Sequence, residues 1–433
     1  MRPKVALVHP YWDFWEAAVP FDLRADRDQF AAAAQAGLDV DWVPAAEAEA
    51  VLVLQTMATP PAWTLGELPD LPLVVWAAHR RSTVPEEFDH ASITTEGATV
   101  GTPMLTSVLV RKKRPFELVV GRVADSEPVA EALRGAAAAT RVRRSRVARV
   151  GAVQDGYACV DTPSALLREK LGMEVVELEP REVREAYDAV SDKRTAAMLE
   201  ETRGLYDVEA DGEGLQRSLR AACAIEDIVN AHRLDAGAMN CHVPEIRFGG
   251  IGVTPCFGLG RSASRGVPWT CTGDVLTAVA MLIGKALGGA AQYHELETYD
   301  YETDEFVVAS SGEHDLALAP GVRPALIENS WFAGDAITGV CACFSAPAGP
   351  ATLLSVADVG GGYRLIAATG AFTGRGFPST GTANAGFRFD RGLDGWTDWC
   401  RFGANHHSSA TPGALAGAAA TCARFLGIES ATA

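Results

Sequence analysis

Acidic residues and histidines, which can bind metals or transfer protons, occur near the ends of predicted elements in four short segments of the second half of the chain. Asp274 precedes an apolar helix, Glu295 follows about twenty residues later, His314 comes after a predicted strand, and His406-His407 precede the last predicted helix. Side chains at the ends of elements, unlike a row along one helix face, can converge on one point. Carboxylates and imidazoles together suit a divalent cation, Mn²⁺ before Zn²⁺ or Fe²⁺.

Each of these residues also has a purely structural interpretation. Asp274 stands directly before an apolar run, where an aspartate is a good helix N-cap. Glu295 lies in the segment HELETYDYETDEF, which fits the wet face of a strand, and His314 alone fits either role. The pair His406-His407 is harder to explain by packing, because only one of two neighbours on a strand can face the core. This pair is therefore the strongest single indication of a site.

The elements that must position these residues begin with an alternation of strands and helices. Apolar runs of strand length occur at Lys4–Val8, 51–54 and 73–76, with an Ala-rich helix predicted over 28–37. This rhythm is typical of an open α/β sheet. At 433 residues the chain exceeds one ordinary hydrophobic core, so we expect more than one domain.

A second α/β cycle follows a basic stretch. The pattern predicts strands at 147–153, Glu174–Leu178 and 236–241, a helix at Ser164–Leu171 ended by Gly172, and helical structure over 188–231. The last third changes character: after an apolar helix at 275–287, β-rich segments are separated by glycines, and Asp358-Val359-Gly360-Gly361-Gly362 is a hairpin turn signal. The predicted segments at 306–309, 336–344, 351–356 and 363–369 are followed by a final helix at 412–426.

We therefore predict an α/β protein in which two Rossmann-like α/β domains precede a carboxy-terminal antiparallel β-rich, barrel-like domain. The expected domains are residues 1–140, 141–265 and 266–433, the last of which carries the metal and substrate site.

Composition and charge exclude several classes of protein. The chain has 38 Lys and Arg against 55 Asp and Glu, a net charge of −17, which argues against nucleic-acid binding. The basic runs 111–114 and 141–149 lack interleaved aromatics and are interpreted as solvated faces or subunit contacts. No apolar window approaches a membrane span and the start does not resemble a signal peptide. Nine scattered cysteines, an odd number, fit a reducing cytosol, so we expect a cytoplasmic protein.

Four segments, in this order, resemble the L-fucose isomerase and L-arabinose isomerase family. They are CTGDVLTAVAMLIGKALGG, YHELETYDYE, SSGEHDLAL and GANHHSS. In the family the corresponding features are a carboxylate and an aspartate opening an apolar helix, an acidic aromatic segment, a strand end with a histidine, and a late His-His pair. The resemblance covers most of residues 145–433 and continues loosely through the amino-terminal part.

The resemblance implies a metal-dependent aldose–ketose isomerase acting on a carbohydrate, with Mn²⁺ as cofactor and a homo-oligomer, trimer or hexamer. In that family carboxylates and histidines hold the metal against two sugar oxygens, and a carboxylate moves a proton between C1 and C2 through an enediol. Position by position, Glu295 matches the second metal carboxylate, His314 the strand-end histidine, and His406 or His407 the late histidine. Asp274 matches the aspartate after the first carboxylate, and we expect it to share acid–base work with Glu295.

Two positions depart from the family pattern. Thr272 stands where the family has the first metal carboxylate, and a neutral hydroxyl is a poor ligand for a hard cation and cannot serve as a carboxylate base. Asp274 or Glu313, which is next to His314, is expected to supply the missing charge. Glu96, in TTEGATVG, stands where the arabinose branch carries a histidine. We expect Glu96, Thr272 and Glu313 to face the substrate.

These departures leave three hypotheses for the function. The first is an aldose–ketose isomerase, or a close relative, acting on a free or modified sugar. The second is altered chemistry on the same scaffold, such as an epimerase or a retro-aldol lyase. The third is a non-catalytic sugar-binding relative, which the retained acidic and histidine positions argue against.

Overall fold

The computed structural model of the chain describes residues 2–248, 251–329 and 338–433. The chain divides into two compact units. The first consists of residues 1–141 and 417–426, and the second of residues 142–416 and 427–433. The expected domain boundaries stay predictions. No helix in the described part of the chain is both long and apolar enough to cross a bilayer.

The first unit is built on a five-stranded parallel sheet. Its elements are, in chain order, β1 (Lys4–Val8), α1 (Leu23–Ala36), β2 (Asp41–Trp42), β3 (Ala50–Gln55), α2 (Pro61–Glu67), β4 (Leu73–His79), α3 (His90–Thr95), α4 (Ala98–Arg111), β5 (Glu117–Arg122) and α5 (Glu127–Arg144). The strands lie in the order β2-β1-β3-β4-β5, and every neighbouring pair is parallel. β3 is buried along its whole length, as expected of a central strand covered on both faces. The predicted helix 28–37 begins earlier, at Leu23, because the side chain of Asp22 caps it.

The second unit begins with a four-stranded parallel sheet. Its elements are β6 (Arg146–Val150), α6 (Ser164–Leu171), β7 (Glu174–Leu178), α7 (Pro180–Ala189), α8 (Asp192–Leu205), β8 (Asp207–Val208), α9 (Gly212–His232), β9 (Ala236–Met239), α10 (Pro244–Arg247), α11 (Cys256–Ser264) and β10 (Trp269–Thr270). The order is β10-β9-β6-β7, and the pairs are parallel. The fold therefore confirms the second predicted α/β sheet, with α6 and β7 at their expected bounds.

The rest of the second unit is a large mixed sheet that contains a closed barrel. Its elements are α12 (Val275–Gly288), β11 (Gln292–Asp300), β12 (Glu305–Ala309), β13 (Ala325–Glu328), β14 (Val340–Ser345), β15 (Gly349–Asp358), β16 (Tyr363–Phe372), β17 (Ala383–Phe389), α13 (Gly392–Arg401), β18 (His407–Pro412), α14 (Ala416–Leu426), most of which belongs to the first unit, and β19 (Glu429–Thr432). Strands β16-β15-β18-β11-β12-β17 form a ring of antiparallel pairs that closes between β17 and β16. The predicted barrel-like antiparallel structure is confirmed as part of this mixed sheet.

Several predicted elements differ from the structure at their ends, including the last helix and two strands. The last helix does not begin at Pro412, which ends β18; it begins at Ala416, because residues 407–412 pair with both β11 and β15. The strand predicted over 147–153 ends at Val150, because Gly151 takes a positive φ of 72°. Of the strand predicted over 336–344, residues 336 and 337 lie outside the described residues and β14 begins at Val340.

The apolar helix α12 is the element that links the parallel sheet of the second unit to its barrel. It is buried along almost its whole length and packs against β9 and β10 on one side and β15 and β18 on the other. Gly284 permits a close approach to the barrel, since a Cβ at this position would lie 2.5 Å from the Thr411 hydroxyl oxygen. The start of α12 is thereby held against the start of β18.

Candidate metal centre

The barrel register brings Glu295 and His407 together. β11 and β18 are antiparallel, and Glu295 is directly opposite His407, so both side chains lie on the same face of the sheet. His407 Nε2 lies 3.9 Å from Glu295 Oε1. The imidazole ring of His406 lies next to that of His407, with ring centroids 3.8 Å apart. One ligand atom from each of these three residues lies within 4.8 Å of the others.

Asp274 orients His407 and caps helix α12 at the same time. Its Oδ2 lies 2.6 Å from His407 Nδ1, and its Oδ1 accepts the backbone N–H of Thr277 at 2.9 Å. An ionised carboxylate only accepts hydrogen bonds, so the imidazole proton is on Nδ1 and the Nε2 lone pair faces Glu295. A carboxylate behind a histidine is the usual support of a metal-ligating imidazole. The structural and functional interpretations of Asp274 are thus combined in one residue.

Two hydroxyl donors hold the Glu295 carboxylate. Tyr293 donates to Oε1 at 3.1 Å and Ser311 donates to the same oxygen at 2.8 Å. Burial raises the pKa of the Tyr293 phenol well above its usual value of 10, and the nearby Cys271 thiol raises it further, so the phenol is a proton donor at neutral pH. The side chain of Glu295 remains 25% exposed. Glu295 is therefore both anchored and open to a ligand.

His406 is the exposed member of the three. Its ring also lies 5.9 Å from that of Tyr157. Partial burial lowers the pKa of His406, as does the neighbouring His407, whereas Glu295 and Asp274 oppose this shift. A lowered pKa favours the neutral imidazole, which is the form that binds a metal.

Thr272 occupies a tight turn and directs its hydroxyl to the backbone. It has a φ of +56°, unusual for a β-branched residue, and Gly273 follows with a φ of +74°. Its Oγ1 donates to the carbonyl of Cys271 at 2.8 Å. The Thr272 hydroxyl is buried and already donates a hydrogen bond to the backbone, so it does not take the place of a metal-binding carboxylate.

Glu313 is buried and is not one of the three residues whose ligand atoms cluster. Among the described residues neither of its carboxylate oxygens has a hydrogen-bond partner, and the residue is 1% exposed. Burial raises the pKa of Glu313 to about 7, and the charge of Glu295 acts in the same direction. The Cys271 thiol and His407 act in the opposite direction.

His314 lies on the opposite side of the chain from Glu313, among aromatic residues. Its Nε2 is 2.7 Å from the hydroxyl of Tyr206, and its ring stacks on Phe257 with centroids 6.0 Å apart. Burial lowers the pKa of His314 to about 3, so its imidazole is neutral. The structure does not bring His314 to the three clustered ligand atoms, because successive residues of an extended segment face opposite ways.

Glu96 lies in the first unit, at the end of α3. Its Oε1 is 2.7 Å from Nε of Arg81. A contact between Glu96 and the substrate stays a prediction. The sequence had given no role to Tyr293 and Ser311, although Tyr293 shares a strand face with Glu295 two residues later, a spacing that was visible in the sequence.

Comparisons with known proteins match the part of the chain that carries these residues. The family described as the L-arabinose isomerase C-terminal domain matches residues 290–429, a range that includes Glu295, His406 and His407. L-arabinose isomerase from Clavibacter sepedonicus is 26% identical over 263 residues, 58% of this chain and 52% of the relative. L-arabinose isomerase from Bifidobacterium longum (strain DJO10A) is 26% identical over 325 residues, 70% of this chain and 63% of the relative.

The chain is thus similar to L-arabinose isomerases, with a family match over residues 290–429. Its alignments span between about half and two thirds of the length of these curated relatives.

Proposed function

We propose that this protein is a metal-dependent aldose–ketose isomerase acting on a free or modified sugar. The observation that carries the proposal is the register of β11 and β18, which sets Glu295 opposite His407 and beside His406. The relatives are named L-arabinose isomerase, which supports the reaction class and a carbohydrate substrate. The segment that matches the family contains all three residues.

The residues present fit a divalent cation. One carboxylate and two imidazoles offer ligand atoms within 4.8 Å of one another, and His407 is already oriented by Asp274. Three protein ligands leave coordination positions for two sugar oxygens, and mixed oxygen and nitrogen ligands suit Mn²⁺. When bound, the ion would hold the adjacent carbonyl and hydroxyl oxygens of the open-chain sugar and polarise the carbonyl.

The chain's own residues divide the remaining work. We assign Glu295 the proton transfer between C2 and C1 through an enediol, because it is the partly exposed carboxylate of the group. Tyr293 and Ser311 hold its carboxyl group in place by donating to Oε1. Asp274 has both oxygens engaged and is buried. We therefore assign it the positioning of His407 in place of the acid–base role expected from the sequence.

A second candidate is altered chemistry on the same scaffold, an epimerase or a retro-aldol lyase. It is favoured by Thr272, whose hydroxyl is bonded to the Cys271 carbonyl and cannot replace a carboxylate. We further propose that the enzyme is a homo-oligomer, a trimer or hexamer. We also propose that it works in the cytoplasm, because its nine cysteines, an odd number, fit a reducing compartment.

The test is proton exchange in heavy water. The protein is loaded with Mn²⁺ and incubated with L-arabinose and a panel of other aldoses, and ¹H NMR follows the C2 proton. An isomerase exchanges the C2 proton of its substrate with solvent deuterium and forms a ketose. An epimerase gives the exchanged C2 epimer, and a lyase gives two shorter carbonyl compounds.

Two controls keep the assay specific. The variant Glu295→Gln, which preserves shape, is expected to abolish exchange, and a chelator is expected to do the same reversibly. Exchange that persists in both would refute the proposal, and so would its absence for every aldose with the loaded wild-type protein.

A further inference from the structure

Strand β5 forms an open edge of the parallel sheet in the first unit. Within the described part of the chain its one strand neighbour is β4. Directly after β5, the N–H of Val123 donates to the carbonyl of His79 in β4. Hydrogen bonds alternate along a parallel strand, so the odd-numbered residues of β5 bond to β4 and the even-numbered residues point their N–H and C=O groups outward. Leu118 and Val120 therefore offer these groups to a further strand.

The same two residues expose apolar side chains. Leu118 is 41% exposed and Val120 is 65% exposed, and both lie on one face of β5. Val110, in the last turn of α4, is 65% exposed, and with Phe116 and Leu118 it lines a groove of about 480 Å³. Proteins protect open edges with Lys, Pro, a bulge or a covering segment. The strand ELVVGR has no Lys or Pro, and its pairing with β4 has no bulge, so this edge suits the addition of a strand.

Opposite charges flank the two ends of β5. The basic residues 111–113 precede it, all exposed, and none of them forms an ion pair with a residue that the structure describes. Asp125 and Glu127 follow it and are exposed as well. Their own partners are Arg122 and Arg134. Exposed ion pairs of this kind contribute little, so both carboxylates remain able to accept a further cation.

A second copy of the chain satisfies the backbone, the apolar side chains and the charges together. Antiparallel pairing of two β5 strands about a twofold axis places Leu118 of each copy opposite Val120 of the other, and these outward-facing residues exchange both hydrogen bonds. Val119 then lies opposite Val119 of the second copy, as a pair without hydrogen bonds. Because the strands run in opposite directions, residues 111–113 of one copy come to the end of β5 at which the other copy carries Asp125.

We infer that β5 is the surface through which two copies of this chain join their parallel sheets into one. The inference refines the proposed homo-oligomer and does not depend on the metal centre. The contact is isologous, with the same residues on both sides, and requires a twofold axis. A hexamer made of two trimers has twofold axes and a trimer has none, so this edge favours the hexamer.

Cysteines introduced into β5 test the register of the pairing. Full-length V119C and V120C are oxidised mildly and separated by non-reducing gel electrophoresis, with wild type as the background for its exposed Cys159 and Cys400. Facing residues of a pair without hydrogen bonds lie close enough for a disulfide. We expect most of the V119C protein to become a covalent dimer. V120C, opposite Leu118 of the second copy, is the matched control and should stay at the wild-type background.

A charge on the edge tests the contact without changing the core. V120K alters an exposed side chain, and V322K makes the same change at an exposed valine of the second unit. Sedimentation velocity over a range of protein concentrations compares both with wild type, and thermal unfolding checks that both are folded. We expect V120K to weaken the twofold association by at least about tenfold, because each contact then contains two lysines in its apolar row. V322K should sediment like wild type.

The outcomes separate this inference from the proposals before it. An oligomeric wild type that V120K leaves unchanged, or a V119C protein that stays at the background, would overturn the pairing through β5 and leave the homo-oligomer in place. A wild type that sediments as a monomer at every concentration would overturn the homo-oligomer as well. None of these outcomes bears on the metal centre, which the exchange assay tests.

Discussion

Replacing Asp274 by asparagine tests the geometry of the centre with a change of one atom. Aspartate offers two acceptor oxygens, one to the backbone N–H of Thr277 and one to Nδ1 of His407. Asparagine has a single acceptor oxygen. The backbone N–H cannot change its proton, whereas imidazole can change tautomer. We therefore expect the amide oxygen to remain with Thr277 and the amide N–H to donate to Nδ1, which moves the imidazole proton to Nε2.

The expected effect is large on metal binding and small on folding. Outer partners of a ligating histidine are worth about 10–100-fold in metal affinity, or about 1.4–2.7 kcal/mol. Asparagine and aspartate are nearly equal as N-caps, so the metal-free protein should keep its melting temperature. Asp274→Ala, by contrast, loses the cap, worth about 1 kcal/mol, and leaves His407 Nδ1 unpaired, at a further cost of about 1–3 kcal/mol.

The assay is calorimetric titration of Mn²⁺ into metal-free protein, with histidine ¹⁵N shifts to report the tautomer of His407. The matched control is Asp22→Asn, which changes the N-cap of α1, where Asp22 accepts only backbone N–H groups. It should bind Mn²⁺ like wild type. An Asp274→Asn protein that binds Mn²⁺ within twofold of wild type would refute the orienting role of Asp274.

Three further outcomes can be checked by unfolding experiments. Burial beside Arg27 lowers the pKa of His9 from 6.5 to about 3, so the unfolded chain takes up the proton first and the protein loses stability as the pH falls below 6.5. From pH 7 to 5.5 the free energy of unfolding of wild type should fall by about 1.2 kcal/mol through this group. The variant His9→Gln should flatten that part of the pH profile of unfolding. Gly284→Ala should cost about 1–3 kcal/mol by overpacking against Thr411, whereas Gly204→Ala, in open space on α8, should be neutral or stabilising in urea denaturation. Mn²⁺ at 100 times its dissociation constant should raise the free energy of unfolding by about 2.7 kcal/mol, and a melting temperature indifferent to Mn²⁺ and to chelator would contradict specific binding.

The sequence predicted an element correctly where a single local pattern, such as an apolar run or a turn signal, was strong. Buried parallel strands such as β3 are continuous apolar runs in the sequence, and the predicted turn Asp358–Gly362 does join β15 and β16. The start of β18 was not accessible, because HSSATP consists of small polar residues that are buried only through pairing on both sides. A local pattern cannot report such pairing, since it depends on strands more than fifty residues away.

The candidate site shows the same division. The sequence predicted Asp274, Glu295 and the pair His406-His407 because carboxylates and imidazoles follow one another in the same order as in the family that the chain resembles. In the structure, the barrel and helix α12 bring these residues together. The direction of Glu313 and His314 could not be read from the sequence. Adjacent residues of an extended segment face opposite sides, and a shift of one residue exchanges a site residue for a packing residue.

The close packing of α12 on the barrel explains why the centre depends on positions far from the chemistry. Glu295 and His407 are opposed because β11 and β18 are neighbours in the closed ring, but the orientation of His407 comes from Asp274, on a helix outside that ring. The 2.6 Å contact between them holds only if the helix lies close to β18. Gly284, where a Cβ would meet a β18 hydroxyl at 2.5 Å, permits that distance. The absence of a side chain at Gly284 thus permits the close packing on which the contact between Asp274 and His407 depends.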